Sequence, residues 1–330
     1  IKTIKNMTFG YCSSLTDIDI PYGVQEIEDD AFHNSGITNI SIPSTVRKTY
    51  YGAFSGTPFY ENIKSNLNGF YTCEDGKKIL LQAPADITDI DLTDVYLIAD
   101  YAMSQCENIT QLKLPNSVKY IGEYACKNLE DVDIPSTIEI IGEHAFSSQT
   151  FLNKMEELNG IYTCNDGSKL FLKKMSSYSN STVDLTGVVC IQDYAFDGSG
   201  LTEITIPRTI KRIPLDCFYN SKKLENVVFE GEIEDIDNRA FLSCSSLTSI
   251  NIPEGTKIIG NYAFENCGNL DSVSLPNTLE FIGYAAFRNT KITSVKVLNS
   301  VKFVDSWAFQ SCSSLTNVTI ESEYVYNMVN

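Results

Sequence analysis

LTSINIPEGTKIIGNYAFENCGN (Leu247–Asn269) is followed at once by LDSVSLPNTLEFIGYAAFRNTK (Leu270–Lys291), and the two stretches read as one template written twice. Each opens with Leu and an apolar-x-apolar-Pro strand, passes through an apolar piece ending in Ile-Gly, and reaches Ala-Phe, often with Cys after it. The Pro column recurs at Pro21, Pro43, Thr93, Pro115, Pro135, Thr186, Pro207, Glu230, Pro253, Pro276, Leu298 and Glu321. Nine of the eleven gaps lie between 20 and 23 residues, and the other two are 50 and 51. A repeat running end to end overrides the two domains that 330 residues would otherwise suggest.

This is the period and the Leu-x-x-Leu-x-Leu frame of leucine-rich repeats, with Ile often in place of Leu. Ile18-Asp19-Ile20, Ile40-Ser41-Ile42, Leu112-Lys113-Leu114 and Ile250-Asn251-Ile252 alternate apolar and polar, so one strand face is buried and one meets solvent. Pro after the strand removes a ladder donor and stops the pairing where the chain must turn. The expected fold is a leucine-rich repeat solenoid, an α/β-type horseshoe or right-handed array, of about 12 coils of 20–23 residues with a parallel β-ladder, as a single array over 1–330.

The Ala-Phe column predicts the opposite side of each coil. Ten of the 17 Phe residues occupy it, from Phe9 to Phe309, with Met103 and Cys126 as exceptions, so a continuous aromatic spine is expected. Ala before each ring leaves room for a tight helical turn. The residue before Ala is often a ring, as at Tyr101, Tyr124, His144, Tyr194, Tyr262 and Trp307. These rings either pack over the rim or grip a ligand. Cys12, Cys106, Cys244, Cys267 and Cys312 each sit three residues before the Leu, or Ile109, that opens the next strand, a packing column in which Cys acts as a small buried hydrophobe. Among the ten cysteines only Cys244 and Cys267, in adjacent coils, have the spacing for a bridge, and stacked thiols are the simpler reading.

The two long gaps contain a second repeat. NGFYTCEDGKKILL (Asn68–Leu81) aligns with NGIYTCNDGSKLFL (Asn159–Leu172). Asp75-Gly76 and Asp166-Gly167 between apolar runs predict hairpin tips, because Gly accepts the positive φ the turn needs. Projecting β-hairpin insertions are therefore expected over 59–86 and 152–180, each leading into a strand, Ile87–Thr93 or Ser181–Thr186. Insertions on one edge of a solenoid either recognise a partner or shield that edge.

Charge excludes one class of partner. With 42 acidic and 25 basic residues the net charge is −17, and such a surface repels nucleic acid. No run of about 18 apolar residues exists to span a membrane. The opening IKTIKNMTF lacks a signal-peptide core, as expected of a cytosolic chain or of one without its targeting segment. The two histidines, His33 and His144, lie coils apart, and no nucleophile, zinc or phosphate-loop motif occurs, so neither catalytic residues nor a metal or other cofactor are expected.

LTSINIP, TKIIGNYAFENC and the YTC-x-DG-x-K hairpin together resemble the BspA-like leucine-rich repeat surface proteins of bacteria and some parasitic protozoa. The resemblance covers essentially the whole chain. It implies a secreted or surface-attached adhesin toward host matrix or microbial proteins, extracellular localisation, no catalytic residue, and a chain that is a fragment of a longer protein. The outward strand positions carry Asp17, Asp19, Asp89, Asp91, Asp131, Asp133, Asp184 and Glu203 in the first seven strands, with one Lys, and no acid in the last five. A basic protein segment docking on that acidic stretch of a monomer, near the tips Asp75, Gly76, Asp166 and Gly167, is the expected mode. A glycan-binding module using the ring column, a structural spacer, and divalent-cation binding by stacked Asp remain open beside it.

Overall fold

The structure, a computed structural model, describes residues 2–172 and 182–324. It divides into two compact units: unit 1 is Ile1–Asn159 with Cys164–Gly167, and unit 2 is Gly160–Thr163 with Ser168–Asn330. Both are built from parallel β-solenoid turns, about 13 in all, with little helix.

Each regular coil lays down two short strands. The first is the expected one: Asp17–Asp19 pairs with Asn39–Ser41 and Gln111–Lys113 with Asp131–Asp133 in unit 1. In unit 2, Glu203–Ile206 pairs with Asn226–Phe229, Ser249–Asn251 with Ser272–Ser274 and Ser294–Val297 with Asn317–Ile320. Register is in step, Ile18 opposite Ile40 and Ile250 opposite Val273, so like stacks on like and a one-residue slip would expose the whole apolar column. The parallel ladder is thus present, but divided into pairs.

The longer sheets come from the Ile-Gly piece, whose two-residue strands are too short for an alternation argument to detect. Arg212–Ile213, Asp235–Ile236, Ile258–Ile259, Phe281–Ile282 and Phe303–Val304 form a five-stranded parallel sheet in unit 2. Thr3–Ile4, Glu26–Ile27 and Lys48–Thr49 form a three-stranded one in unit 1. Glycine closes this strand for lack of space: a Cβ on Gly260 would stand 2.5 Å from the amide nitrogen of Asn238 in the preceding coil.

At Ala-Phe the expected helical turn is replaced by chained reverse turns. Glu265 and Cys267 donate their amides three residues back, to the Tyr262 and Phe264 carbonyls. Tyr262, Phe264 and Asn266 instead donate to Tyr284, Ala286 and Arg288 of the next coil, at 2.8, 2.7 and 2.9 Å. Successive amides that alternate between turn and neighbour need left-handed residues, and Tyr262 and Asn266 both have φ of 58°. The rings stack as expected: in unit 2, Phe218, Phe241, Phe264 and Phe287 follow at 5.0, 5.1 and 5.2 Å with planes within 11°.

All ten cysteines are free thiols, nine of them buried. Their column is more than a packing column. Cys244, Cys267 and Cys312 donate to the spine carbonyls of Phe218, Phe241 and Phe287 at 3.1 Å, and Ser221 at the same repeat position donates to Phe196 at 2.7 Å. What the position requires is a small donor.

Both insertions hold a helix that the hairpin reading overlooked. Helix α1 (Pro58–Asn66) is capped by Thr57, whose Oγ1 accepts from the Tyr60 amide, and begins on Pro58. Helix α2 (Gln149–Glu157) is capped in the same way by Ser148 through the Phe151 amide. Antiparallel pairs follow, Phe70–Thr72 with Lys78–Leu80 and Ile161–Thr163 with Lys169–Phe171. Residues 173–180 of the second insertion lie outside the described residues. The strands expected at Ile87–Thr93 and Ser181–Thr186 do not form over 87–93 and 182–185, and Ser181 is outside the described residues. Asp91 and Asp184 turn the chain there by accepting the amides of Thr93 and Thr186 at 2.9 Å. The parallel strands are Val95–Ile98 and Val188–Ile191, which pair with the returning hairpin arms.

Candidate interaction surface

The outward acids form two groups. Asp17, Asp19, Asp89 and Asp91 are exposed and have no ion pair among the described residues. Thr16 and Asn39 donate to Asp17 at 2.6 and 2.7 Å, and these bonds hold its carboxyl below the usual range. The Thr93 bonds do the same for Asp91, and those of Thr186 for Asp184. Asp131 and Asp133 are already engaged. Lys154 of α2 meets Asp131 at 3.2 Å, and Lys113 meets Asp133 at 3.6 Å while Asn165 donates to both its oxygens at 2.8 Å. Six of the eight candidate acids therefore belong to unit 1; Asp184 and exposed Glu203 belong to unit 2. Asp89, Asp91 and Asp184 lie in irregular segments rather than on the strand ladder.

The hairpin tips are tethered rather than projecting. Ser44 donates to Asp75 at 2.6 Å and Ser136 to Asp166 at 2.5 Å, both serines following the Pro that ends a first strand. The Ser44 and Lys77 bonds hold the Asp75 carboxyl below its ordinary value. Tyr71 of the first hairpin brackets the strand Asn39–Ser41, its hydroxyl accepting from the Ile42 amide at 2.9 Å and donating to the Ile40 carbonyl at 3.1 Å. Backbone groups that an open edge would leave bare are thereby satisfied. Gly76 and Gly167 have φ of 83° and 85°, as the turn chemistry predicts.

The rings before Ala line up on the left-handed position. In unit 1, Tyr101, Tyr124 and His144 follow at 5.1 and 4.9 Å, and Tyr51, one residue ahead of Gly52 that holds this position in its coil, meets Tyr101 at 4.9 Å. In unit 2 the column mixes rings with charge. Arg239, at that position, donates to both oxygens of buried Asp216 at 2.6–3.0 Å and to the Tyr194 hydroxyl at 3.2 Å. Burial raises the Asp216 carboxyl even against the pull of that guanidinium. Sequence reasoning missed this clamp because its members lie 23 and 45 residues apart. Coil arithmetic would have found it, since 23 is one period.

Nothing assembles toward catalysis at the two histidines. His33 faces Asp30 at 3.4 Å, and His144 faces Glu143 at 3.4 Å. Among the described residues no group of three His, Cys, Asp or Glu is disposed to hold a metal, and no helix is long and apolar enough to cross a membrane. Burial pushes the Cys73 and Cys164 thiols up to about 11 and those of Cys126 and Cys267 up to about 12, the opposite of nucleophile activation.

The chain matches the model of the BspA type leucine rich repeat region in six copies, over residues 1–75, 78–171 and 189–316. Among solved structures it is similar to a leucine-rich repeat protein of T. pallidum, at 26% identity over 49% of this chain and 79% of that one, with a TM-score of 0.43. A leucine rich cell surface protein of Faecalibacterium prausnitzii shares 20% identity over 99% of this chain and 85% of that one, TM-score 0.40. A leucine-rich repeat protein of Bacteroides ovatus shares 20% over 96% and 87%, TM-score 0.39. No curated protein matches.

Proposed function

Because the chain belongs to the BspA-type leucine-rich repeat family, we propose that it is a non-enzymatic protein-interaction module of the cell surface, adhesin-like, that takes a basic segment of a host matrix or microbial surface protein. The observation that carries this reading is the set of exposed carboxylates at Asp17, Asp19, Asp89 and Asp91, which form no ion pair among the described residues, Lys78 acting on Asp91 only at a distance. Local hydrogen bonds keep Asp17 and Asp91 ionised into the acid range, so the surface stays negative where a lysine-rich segment would meet it. The corresponding positions Ser249, Asn251, Ser272 and Ser274 in unit 2 are neutral.

The test is binding to immobilised matrix proteins and to a lysine-rich peptide, at low and moderate salt. Changing Asp17, Asp19, Asp89 and Asp91 together to Asn should weaken binding about tenfold, since exposed pairs are individually weak and screened, and should flatten the salt dependence. Asp131→Asn with Asp133→Asn, whose carboxylates are already paired, should do less. Equal losses from the two sets, or none from the first, would sink the reading.

A further inference from the structure

The third coil of unit 1 ends unlike the second. Asp30, Phe32 and Asn34 of the second coil donate their amides to the Tyr51, Ala53 and Ser55 carbonyls of the third, at 3.4, 2.8 and 2.9 Å. The matching amides of the third coil, Gly52, Phe54 and Gly56, have no acceptor among the described residues. The carbonyl that would serve Phe54, that of Ala102, is taken at 2.8 Å by the amide of Ala83, on the segment returning from the first hairpin. Next to that segment the coils enclose a cleft of about 700 Å³, with Gly52 and Phe54 in its wall.

Two kinds of group meet in this cleft. The first is donors. Gly52 has φ of 71°, the left-handed position from which the matching amides of regular coils reach the next coil, so the Gly52 and Phe54 amides in the cleft wall are unpaired donors that an anion can take. Lys127 lines the same space, as do Lys64, which also pairs with Glu61 at 3.2 Å, and Thr49, whose buried hydroxyl has no hydrogen-bond partner. The second is a platform. Tyr51 is 63% exposed and Tyr101 lies 4.9 Å from it, ring centroid to centroid. Asp100 also contributes to the wall; its Oδ1 accepts from the Glu123 amide at 2.8 Å, which leaves Oδ2 to meet a hydroxyl.

An acceptor-rich ligand with one negative group, a C–H face and hydroxyls matches this lining. We propose that the cleft binds a carboxylated sugar, its carboxylate on the Gly52 and Phe54 amides beside the lysines and its C–H face against Tyr51. This site is separate from the acidic surface proposed above and of opposite preference, so the two readings stand or fall independently.

The experiment is an NMR titration of the ¹⁵N-labelled chain with glucuronate, N-acetylneuraminate and glucose. Saturable shifts of the Gly52 and Phe54 amides are expected with at least one acid, with glucose about tenfold weaker, the worth of one charge-assisted hydrogen bond. Which acid binds identifies the source of the carboxylate. Tyr51→Ala and Lys127→Gln, both on exposed or half-buried side chains, should each weaken the acid about tenfold with an unchanged circular dichroism spectrum. No saturable shift from either acid up to about 50 mM would overturn the proposal. So would glucose binding as tightly as the acids, or neither substitution weakening them.

Discussion

Unit 2 is what the template makes when left alone, and unit 1 is what it makes when interrupted. In unit 2 six rings from Phe196 to Phe309 stack without a break at 5.0–5.3 Å. In unit 1 the ring series stops at Phe54, where α1 supplies Phe59 edge-on at 5.4 Å, and the next coils put Met103 and Cys126 in the column. Unit 1 also holds both hairpin tips, the cleft and six of the eight outward acids. Regularity gives each coil two identical neighbours and uniform packing; interruption leaves amides, carboxylates and clefts that the array has not consumed. Chemistry open to a partner therefore concentrates where the repeat fails.

The largest test of that contrast is in the spine. Phe264 is fully buried between two like rings, so Phe264→Ala should cost about 3–5 kcal/mol in chemical denaturation. Phe309 contacts one stacked ring and is half-buried, so Phe309→Ala should cost about 1–2 kcal/mol. Equal costs would mean that unit 2 does not behave as a stack of nearest neighbours.

A smaller, pH-dependent effect separates the units at one repeat position. Asp100 in unit 1 and Asn238 in unit 2 do the same job: Asp100 Oδ1 accepts the Glu123 amide at 2.8 Å, and Asn238 Oδ1 accepts the Asn261 amide at 2.7 Å. Burial pushes the Asp100 carboxyl up to about 7, from an ordinary 3.8. The folded state then holds a proton the unfolded chain has lost, so the stability this group contributes below about pH 4 disappears as pH rises through 7. Asp100→Asn keeps the bond and removes the charge. It should leave stability at pH 4 nearly unchanged and raise it at pH 8 by about 2–4 kcal/mol. Asn238→Asp should do the reverse in unit 2, losing stability at pH 8. A pH-independent effect of Asp100→Asn would refute the buried-charge account.

How much of this the sequence discloses follows from what repeats. Period, strand face, spine and hairpin tips recur many times or twice, so column reading reaches them. The Ile258–Ile259 strand escapes because two residues show no alternation, although its Gly260 marks a close approach. Helices α1 and α2 escape because they occur once per insertion, yet Thr57-Pro58 is a capping signal that was there to be used. The loss of the expected strand at Ile87–Thr93 is tertiary: Val95–Ile98 is buried throughout and can pair with the hairpin arm, and it outcompetes a stretch whose Asp91 favours a turn. Strand alternation points Asp131 and Asp133 outward, but no pattern along the chain shows that Lys154 and Asn165, some 23 and 32 residues on, already occupy them.

The smallest effect concerns the two tips within unit 1. Both are tied by a serine after a strand-ending Pro, yet their supports differ. Asp75 has Ser44 and its own neighbour Lys77, at 2.9 Å, whereas the second tip has Ser136 on Asp166 and also Asn165 on Asp133. Ser44→Ala removes the side-chain bond that ties Asp75 of the first tip to the turn after Pro43, while Ser136→Ala leaves Asn165 in place. One such bond is worth about 0.5–1.5 kcal/mol, so Ser44→Ala should speed hydrogen exchange at the Gly76 amide, which donates to Cys73 at 3.0 Å, by about three- to tenfold. Ser136→Ala should change exchange at the Gly167 amide, the matching donor to Cys164 at 3.0 Å, by less. Global stability should be the same in both variants. If the two tips respond equally, the Asn165 contact contributes nothing to holding the second tip, and Asp133 is engaged by Lys113 alone.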